Sequence, residues 1–312
     1  MRDKAKFDVI IVGGGPAGMS ASLWCAELGL SSLAIEREDR FGGQLSHIFN
    51  PVDNYLGLSA SNGDSIREEF ERSLIGRKFT RMTGVEVTDL DPERMAVTVA
   101  DGNEYSACAL ILSTGVRRRR LNVPGETEFE GKGILSSGSR DPASVAGQRV
   151  VVVGGGDAAA ENALILAQYA RRVTLVHRRG KLTARSEFLK RLDLVQNIDL
   201  SFDSVVENIR GTDRLAAVEI RNVATGEIRT METDFLVVRI GVQPNSELVK
   251  GKIELDGRGY ALVDSQCRTK VPGIYAIGDV ANPASPTIAT AAGMGATAAK
   301  SAYALLSTSK WL

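Results

Sequence analysis

Gly13, Gly15 and Gly18 stand in G-x-G-x-x-G spacing directly after the apolar run FDVIIV and at the head of an alanine-rich stretch. That spacing suits a dinucleotide. The first glycine makes a tight turn, the second lets a pyrophosphate approach the backbone, and the third lets a helix pack close to a sheet. The helix start then offers free N–H groups and the positive end of its dipole to the phosphates. Glu36 ends the next apolar run, where an acid accepts ribose hydroxyls. Gly154, Gly156 and Ala159 repeat the pattern as G-x-G-x-x-A, but the run after them ends in His177, Arg178 and Arg179. Cationic side chains there suit a 2′-phosphate, so this second site is expected to take NADPH in preference to NADH; the alternative is a solvated basic turn.

Other reactive residue types are sparse. Cys25, Cys108 and Cys267 resemble neither a disulfide framework nor a zinc site, which fits a reducing cytoplasm. Cys25 and Cys108 read as core thiols, while Cys267, next to Arg268, is a candidate for partial exposure. The two histidines, His47 and His177, support no metal site. Arg117 to Arg120 form a run of four arginines that either docks an acidic partner or lies in a solvated turn. Trp311, near the end of the chain, either covers the exposed ring face of a bound cofactor or packs in a core or dimer contact.

These residues are positioned by two βαβ units, Phe7 to Glu36 and Gln148 to Arg179, whose apolar runs lack alternation, as parallel strands buried on both faces do. Strand-rich sequence follows each. A last strand, GIYAIGD, and a small-residue helix are expected to rejoin the first unit, because FLVVRIG already closes the second. The expected fold is α/β, with two Rossmann-like three-layer dinucleotide-binding domains: one discontinuous at 1–115 and 246–312, the other inserted at 116–245. The 312 residues are ample for two cores. Thirty-eight basic residues balance 38 acidic ones, so no global charge draws the chain to nucleic acid or acidic membranes. No apolar run is long enough to span a membrane, and the N-terminus lacks a signal-peptide layout, so the expected location is the cytoplasm.

Over nearly its whole length the chain resembles the low-molecular-weight thioredoxin reductase family. The resemblance rests on GGGPAG at 13–18, GGQL at 42–45, DNYLG at 53–57, STG at 113–115, VPGE at 123–126, GGGDAAAE at 154–161, HRR at 177–179, IGVQPN at 240–245 and YAIGDV at 275–280. It implies FAD in the first domain and NADPH in the inserted one, and a homodimer paired through the FAD domains. For FAD it implies Gly13, Gly15, Pro16, Ala17, Gly18, Glu36 and Arg37 at the first loop. Gly43, Gln44, Leu45 and Asn54 would lie along the flavin, with Val87 at the adenine. Thr114 and Gly115 would stand near the adenosine, and Asp279 at the ribityl–pyrophosphate region. Thr287, Ile288 and Ala289 would open a helix aimed at the flavin pyrimidine. For NADPH it implies Gly154, Gly156, Asp157, Ala158, Ala159, Glu161, His177, Arg178, Arg179, Ile240 and Gly241, with Glu161 orienting the nicotinamide.

Three departures limit the resemblance. The family's C-x-x-C falls on Ser137 and Arg140, so no catalytic residue is assigned and thioredoxin reduction through the usual dithiol is not expected. The family's Arg-Gln pair before the last helix is Pro286-Thr287, and its further arginine after HRR is Thr183, with Lys181 or Arg185 as substitutes. The reading that fits is an FAD-dependent oxidoreductase passing electrons between NADPH and a non-dithiol acceptor, with ferredoxin or flavodoxin as candidate partners. Thioredoxin-reductase-like ferredoxin–NADP reductases match better than bacillithiol disulfide reductases, which carry cysteine where Ala17 stands. The alternatives are disulfide chemistry with thiols placed elsewhere, and a flavoprotein holding another nucleotide, even a second flavin, in the second site.

Overall fold

The continuous apolar run at the N-terminus becomes the centre of a sheet. In the computed structural model, which describes residues 6–309, Lys6–Val12 lies parallel to Ser32–Ile35 on one side and to Glu104–Leu112 on the other. Thr80–Met82 adds a further parallel strand beyond Ser32–Ile35. The outer edge of Glu104–Leu112 is divided. Its first residues pair antiparallel with Ala96–Val99, and Leu110 to Leu112 pair parallel with Ile274–Ala276. Val87–Asp91 completes the antiparallel part. Val9, Ile10, Ile11, Leu110 and Ile111 have no exposed surface, as a sheet covered on both faces requires.

Small residues let two helices close over this sheet. Pro16–Glu27 and Ile288–Ser309 pack together through Ala21, Ala298, Ala299 and Ala302, all fully buried. A Cβ on Gly295 would stand 2.4 Å from the Ala17 carbonyl oxygen, and Ser20 donates to the Ala292 carbonyl at 2.6 Å. The alanine-rich composition of both helices is therefore a packing requirement.

The second sheet is parallel throughout, in the order Ile134–Leu135, Phe235–Arg239, Arg149–Gly154, Arg172–Val176, Ile198–Ser201. On one face Val150, Val152, Val173 and Val237 meet the helix Asp157–Leu166. On the other, Val151, Val153 and Leu236 meet the antiparallel meander Ser204–Gly211, Leu215–Asn222 and Ile228–Glu232. The first compact unit runs through Arg117 and resumes at Gln243; the second is Arg118–Val242. The two connecting stretches, Val116–Arg118 and Val242–Pro244, pair as a two-stranded ribbon.

Candidate functional site

The first glycine loop separates two jobs. Gly13 has φ +109°, and a Cβ there would lie 2.4 Å from the Ser113 carbonyl oxygen; a Cβ on Gly18 would lie 1.9 Å from the Gly13 carbonyl oxygen. Both glycines are demanded by the protein's own packing. Gly15 is not: its nearest neighbour to a Cβ would be the Gly43 Cα at 3.9 Å. It caps the helix Pro16–Glu27 without a side chain, so bare backbone at a helix N-terminus faces open space. Beside it the buried Glu36 carboxylate accepts the Gly14 N–H at 2.6 Å on one oxygen and the Glu38 N–H at 3.0 Å on the other. Each oxygen keeps a lone pair for a further donor.

A cavity of about 640 Å³ opens in front of this loop, within the size range of small-molecule sites. Gly13, Gly15, Pro16 and Ala17 line it from the loop, and Glu36 and Arg37 from the end of the second strand. Gly43 and Gln44 contribute from a short 3-10 turn, where Gln44 donates to the Val116 carbonyl at 2.9 Å. Val87, Thr114 and Gly115 follow along the wall, and the Thr114 hydroxyl donates to the Asn245 carbonyl at 2.6 Å. Asp279, Thr287 and Ile288 close the far side. Asp279 has no hydrogen-bond partner among the described residues, and burial pushes its carboxyl above the usual range. The Thr287 hydroxyl accepts the Thr290 N–H at 3.2 Å and caps the helix that begins at Ile288. Gly18, Leu45, Asn54 and Ala289 are not part of the lining: Leu45 is buried against Val52 and Ile66, and Asn54 is exposed on the strand Val52–Tyr55.

The second loop repeats this division. A Cβ on Gly154, φ +151°, would stand 2.2 Å from the Arg239 carbonyl oxygen, whereas one on Gly156 would find only Thr183 Oγ1, at 4.0 Å. The glycine between them lies against a ring in both loops: Gly14 against Phe41, Gly155 against His177. His177 is therefore buried beneath the loop. Burial, then the Arg179 and Arg178 charges, lower its pKa against a hydrogen bond with the Lys181 backbone, and its Nε2 has no partner. Arg178 and Arg179 are exposed and form no ion pair among the described residues. Asp157 opens the helix and accepts the Arg185 N–H at 2.7 Å and its Nε at 2.6 Å, which holds the carboxyl below its usual range. Arg185 is thus committed within the protein. Ala158 is exposed, Ala159 buried, Glu161 and Ile240 half-buried, and Gly241 accepts the Arg119 N–H at 3.0 Å.

No thiol pair accompanies these loops. Ser137 is buried with its hydroxyl 2.9 Å from that of Ser139, and Gly138 N–H donates to Asn162 Oδ1 at 2.9 Å. Cys25 is buried in the first helix and its thiol is pushed up to about 12. Cys267, a candidate for partial exposure in the sequence, is instead buried at φ +61° with its thiol pushed up to about 11; the turn before the last strand folds it inward, beside Met294. The four arginines diverge. Arg117 pairs with Glu247, Arg118 reaches the Ser136 carbonyl, Arg119 the Val242 carbonyl, and Arg120 lies beside Glu126 and Glu130. Trp311 lies outside the described residues. Among the described residues no cluster could hold a metal, and no helix is long and apolar enough to cross a membrane.

The model of the pyridine nucleotide-disulphide oxidoreductase family matches residues 7–296. The chain belongs to this family. It is 35% identical over 305 residues to the thioredoxin reductase of Streptomyces coelicolor, covering 96% of this chain and 94% of that one. It is 31% identical over 301 residues to a 34.2 kDa protein in the rubredoxin operon of Clostridium pasteurianum, covering 96% and 97%. The structure of Lactococcus lactis thioredoxin reductase in its FR conformation superposes with a TM-score of 0.86 at 32% identity, covering 97% of this chain and 99% of that one. The chain is therefore a thioredoxin reductase-like flavoprotein oxidoreductase of two Rossmann-like units, with FAD and NADPH as its cofactors. The bare Gly15 backbone, the Glu36 carboxylate and the unpartnered Asp279 in one cavity fit an FAD.

Proposed function

We propose that this flavoprotein passes electrons between NADPH and an acceptor that needs no protein dithiol, an electron carrier of the ferredoxin or flavodoxin class. The observation that carries this reading is Ser137 and Arg140 at the family's cysteine positions, together with the burial of Cys25 and Cys267. A thiol held protonated by burial is a poor nucleophile, which removes Cys25 and Cys267 from disulfide exchange; Cys108, read as a core thiol, is only half-buried, but it has no second accessible thiol to exchange with. The rubredoxin-operon relative lends support to a carrier protein as partner. The arginine run supports it less, since Arg117 and Arg120 already face carboxylates.

FAD, when bound, supplies the electron chemistry, and the protein supplies placement and electrostatics. In this reading Gly15 and the helix behind it hold the pyrophosphate, Glu36 the ribose, and Asp279 the ribityl region. The helix start at Thr287, Ile288 and Ala289 directs positive dipole toward the pyrimidine edge. Gly43, Gln44, Val87, Thr114 and Gly115 are assigned along the same ligand, whereas Leu45 and Asn54, outside the cavity lining, are not. In the second unit Gly156 takes the coenzyme pyrophosphate, Arg178 and Arg179 the 2′-phosphate, and Glu161 the nicotinamide. A second reading, a different nucleotide in this site, is favoured by the engagement of Arg185 with Asp157, which removes one cation from the phosphate. The active form is proposed to be a cytoplasmic homodimer.

The test is anaerobic titration of the flavin with NADPH and NADH, followed by turnover with ferredoxin, flavodoxin and thioredoxin as acceptors. NADPH-driven bleaching with reduction of a carrier protein is expected. Brisk thioredoxin reduction, or a flavin that neither coenzyme bleaches, would reject the proposal.

A further inference from the structure

Two guanidinium groups of the second unit converge on one oxygen. Arg118 Nη1 donates to the Ser136 carbonyl, and Arg239 Nη2 donates to the same atom at 3.1 Å. Arg239 is held from behind, its Nη1 donating to the Val238 carbonyl at 2.8 Å and its Nη2 to Asn162 Oδ1 at 3.2 Å. Asn162 is itself buried and fixed, donating to the Ala158 carbonyl at 2.8 Å. Among the described residues neither arginine forms an ion pair. Burial lowers the pKa of both; that of Arg239 falls to about 10, with the charge of Arg118 lowering it further and that of Glu161 opposing. Arg118 still has a large solvent-facing surface, so the pair is crowded on one side and open on the other.

Like charges gathered on a single carbonyl repel one another, and an anion between them relieves that repulsion. The place is one where parallel sheets bind ligands. Arg239 ends the strand Phe235–Arg239, beside Gly154 at the end of Arg149–Gly154, in the crevice outside the carboxyl ends of the strands. A coenzyme pyrophosphate has its own bare seat at Gly156, which leaves the arginine pair for another group. The adjoining loop, Ser137 to Arg140, stands where the resemblance puts the family's dithiol, the position from which electrons leave.

We propose that Arg118 and Arg239 form a binding site for a phosphate or carboxylate group of the electron acceptor. Two planar forks match the oxygens of either anion. The word acceptor rests on the proposed function; the anion site does not.

The test is calorimetric titration of the flavin-loaded protein with inorganic phosphate and with acetate, in a weakly coordinating buffer with NADP⁺ at saturation. Saturable binding of one of the two is expected, and which one binds identifies the group. R118Q, a change at an exposed position, should weaken binding roughly ten- to a hundredfold, the loss of one charge-assisted bond pair. R239K, which keeps the charge and loses the fork, should weaken it less than R239Q. Should R239Q fail to fold, R118Q alone decides. No binding of either anion, equal binding by R118Q, or binding seen only without NADP⁺ would overturn the inference; in the last case the anion is the coenzyme's own phosphate. These readouts need no turnover. A chain that binds phosphate but is not reduced by NADPH loses the proposed function and keeps this site, and the converse result does the opposite.

Discussion

The Gly14 amide donates to a Glu36 carboxylate oxygen at 2.6 Å, and the second oxygen of the same group takes the Glu38 amide. One buried side chain thus fixes the glycine loop and the end of the next strand together. An amide side chain has a single acceptor oxygen, so Glu36→Gln leaves one of these N–H groups without its partner. The expected loss is about 1.5–3 kcal/mol of stability, read as a lower denaturation midpoint, together with flavin lost on gel filtration. A variant as stable and as yellow as the parent would contradict it.

Gly15 and Gly18 should fail in different ways. Gly15→Val meets no protein atom closer than ordinary contact at its Cβ, so the chain is expected to fold but to purify colourless. Gly18→Ala drives a methyl to 1.9 Å from the Gly13 carbonyl oxygen and forces the helix off the sheet, costing about 3 kcal/mol. Thermal melts and flavin absorbance of the two variants separate the effects. A stable, flavin-loaded Gly15→Val protein would remove the ligand argument for this loop.

Cys25 and Cys267 should be silent toward thiol reagents. With thiols pushed up to about 12 and about 11, both stay protonated at neutral pH. Reaction of either with an aromatic disulfide reagent is expected only after denaturant is added. Replacing all three cysteines by serine should leave NADPH-driven electron transfer intact, and a large loss would revive disulfide chemistry.

Acid should loosen the second unit through His177. Its folded pKa is depressed, so the unfolded chain binds the proton more readily. Stability is then full above the ordinary histidine value of about 6.5 and falls as pH drops below it. His177→Gln, which cannot take up that proton, should flatten this part of the pH–stability curve even if its stability at neutral pH is lower. An unchanged slope between pH 7 and about 5 would show that other groups carry the acid sensitivity.

Coenzyme choice should rest on two exposed arginines. R178A combined with R179A is expected to raise the NADPH concentration needed to bleach the flavin by at least about tenfold, one charge-assisted bond's worth. NADH should be little affected. Equal sensitivity to both coenzymes would move the 2′-phosphate contact elsewhere.

Much of the fold was legible because its signals are local. Unbroken apolar runs ending in spaced glycines identify parallel strands that feed helices, and Ala21, Ala298 and Gly295 lie in stretches whose small residues already announce close helix packing. What escaped depends on residues that meet only in the folded chain. Nothing in the spacing says that Gly14 rests on Phe41 or Gly155 on His177, so His177 read as a surface cation rather than a buried ring. Arg118 is one of four like neighbours in the sequence, but the strand Val116–Arg118 turns Arg117 and Arg118 to opposite sides, and Arg119 and Arg120 find partners of their own beyond it. Cys267 is a candidate for partial exposure beside Arg268 in the sequence, and its left-handed turn buries it. Thr80–Met82 is too short to carry a pattern of its own.

The divided edge of Glu104–Leu112 also bears on how the chain is made. Leu110 to Leu112 find their parallel neighbour only in Ile274–Ala276, and all of Arg118–Val242 is synthesised in between. The inserted unit contains its whole sheet and can mature on the ribosome while the first sheet still exposes backbone donors and acceptors along that edge. The last described strand to emerge completes the sheet that was begun first. Premature termination before residue 274 therefore produces a finished coenzyme unit attached to an open, adhesive sheet.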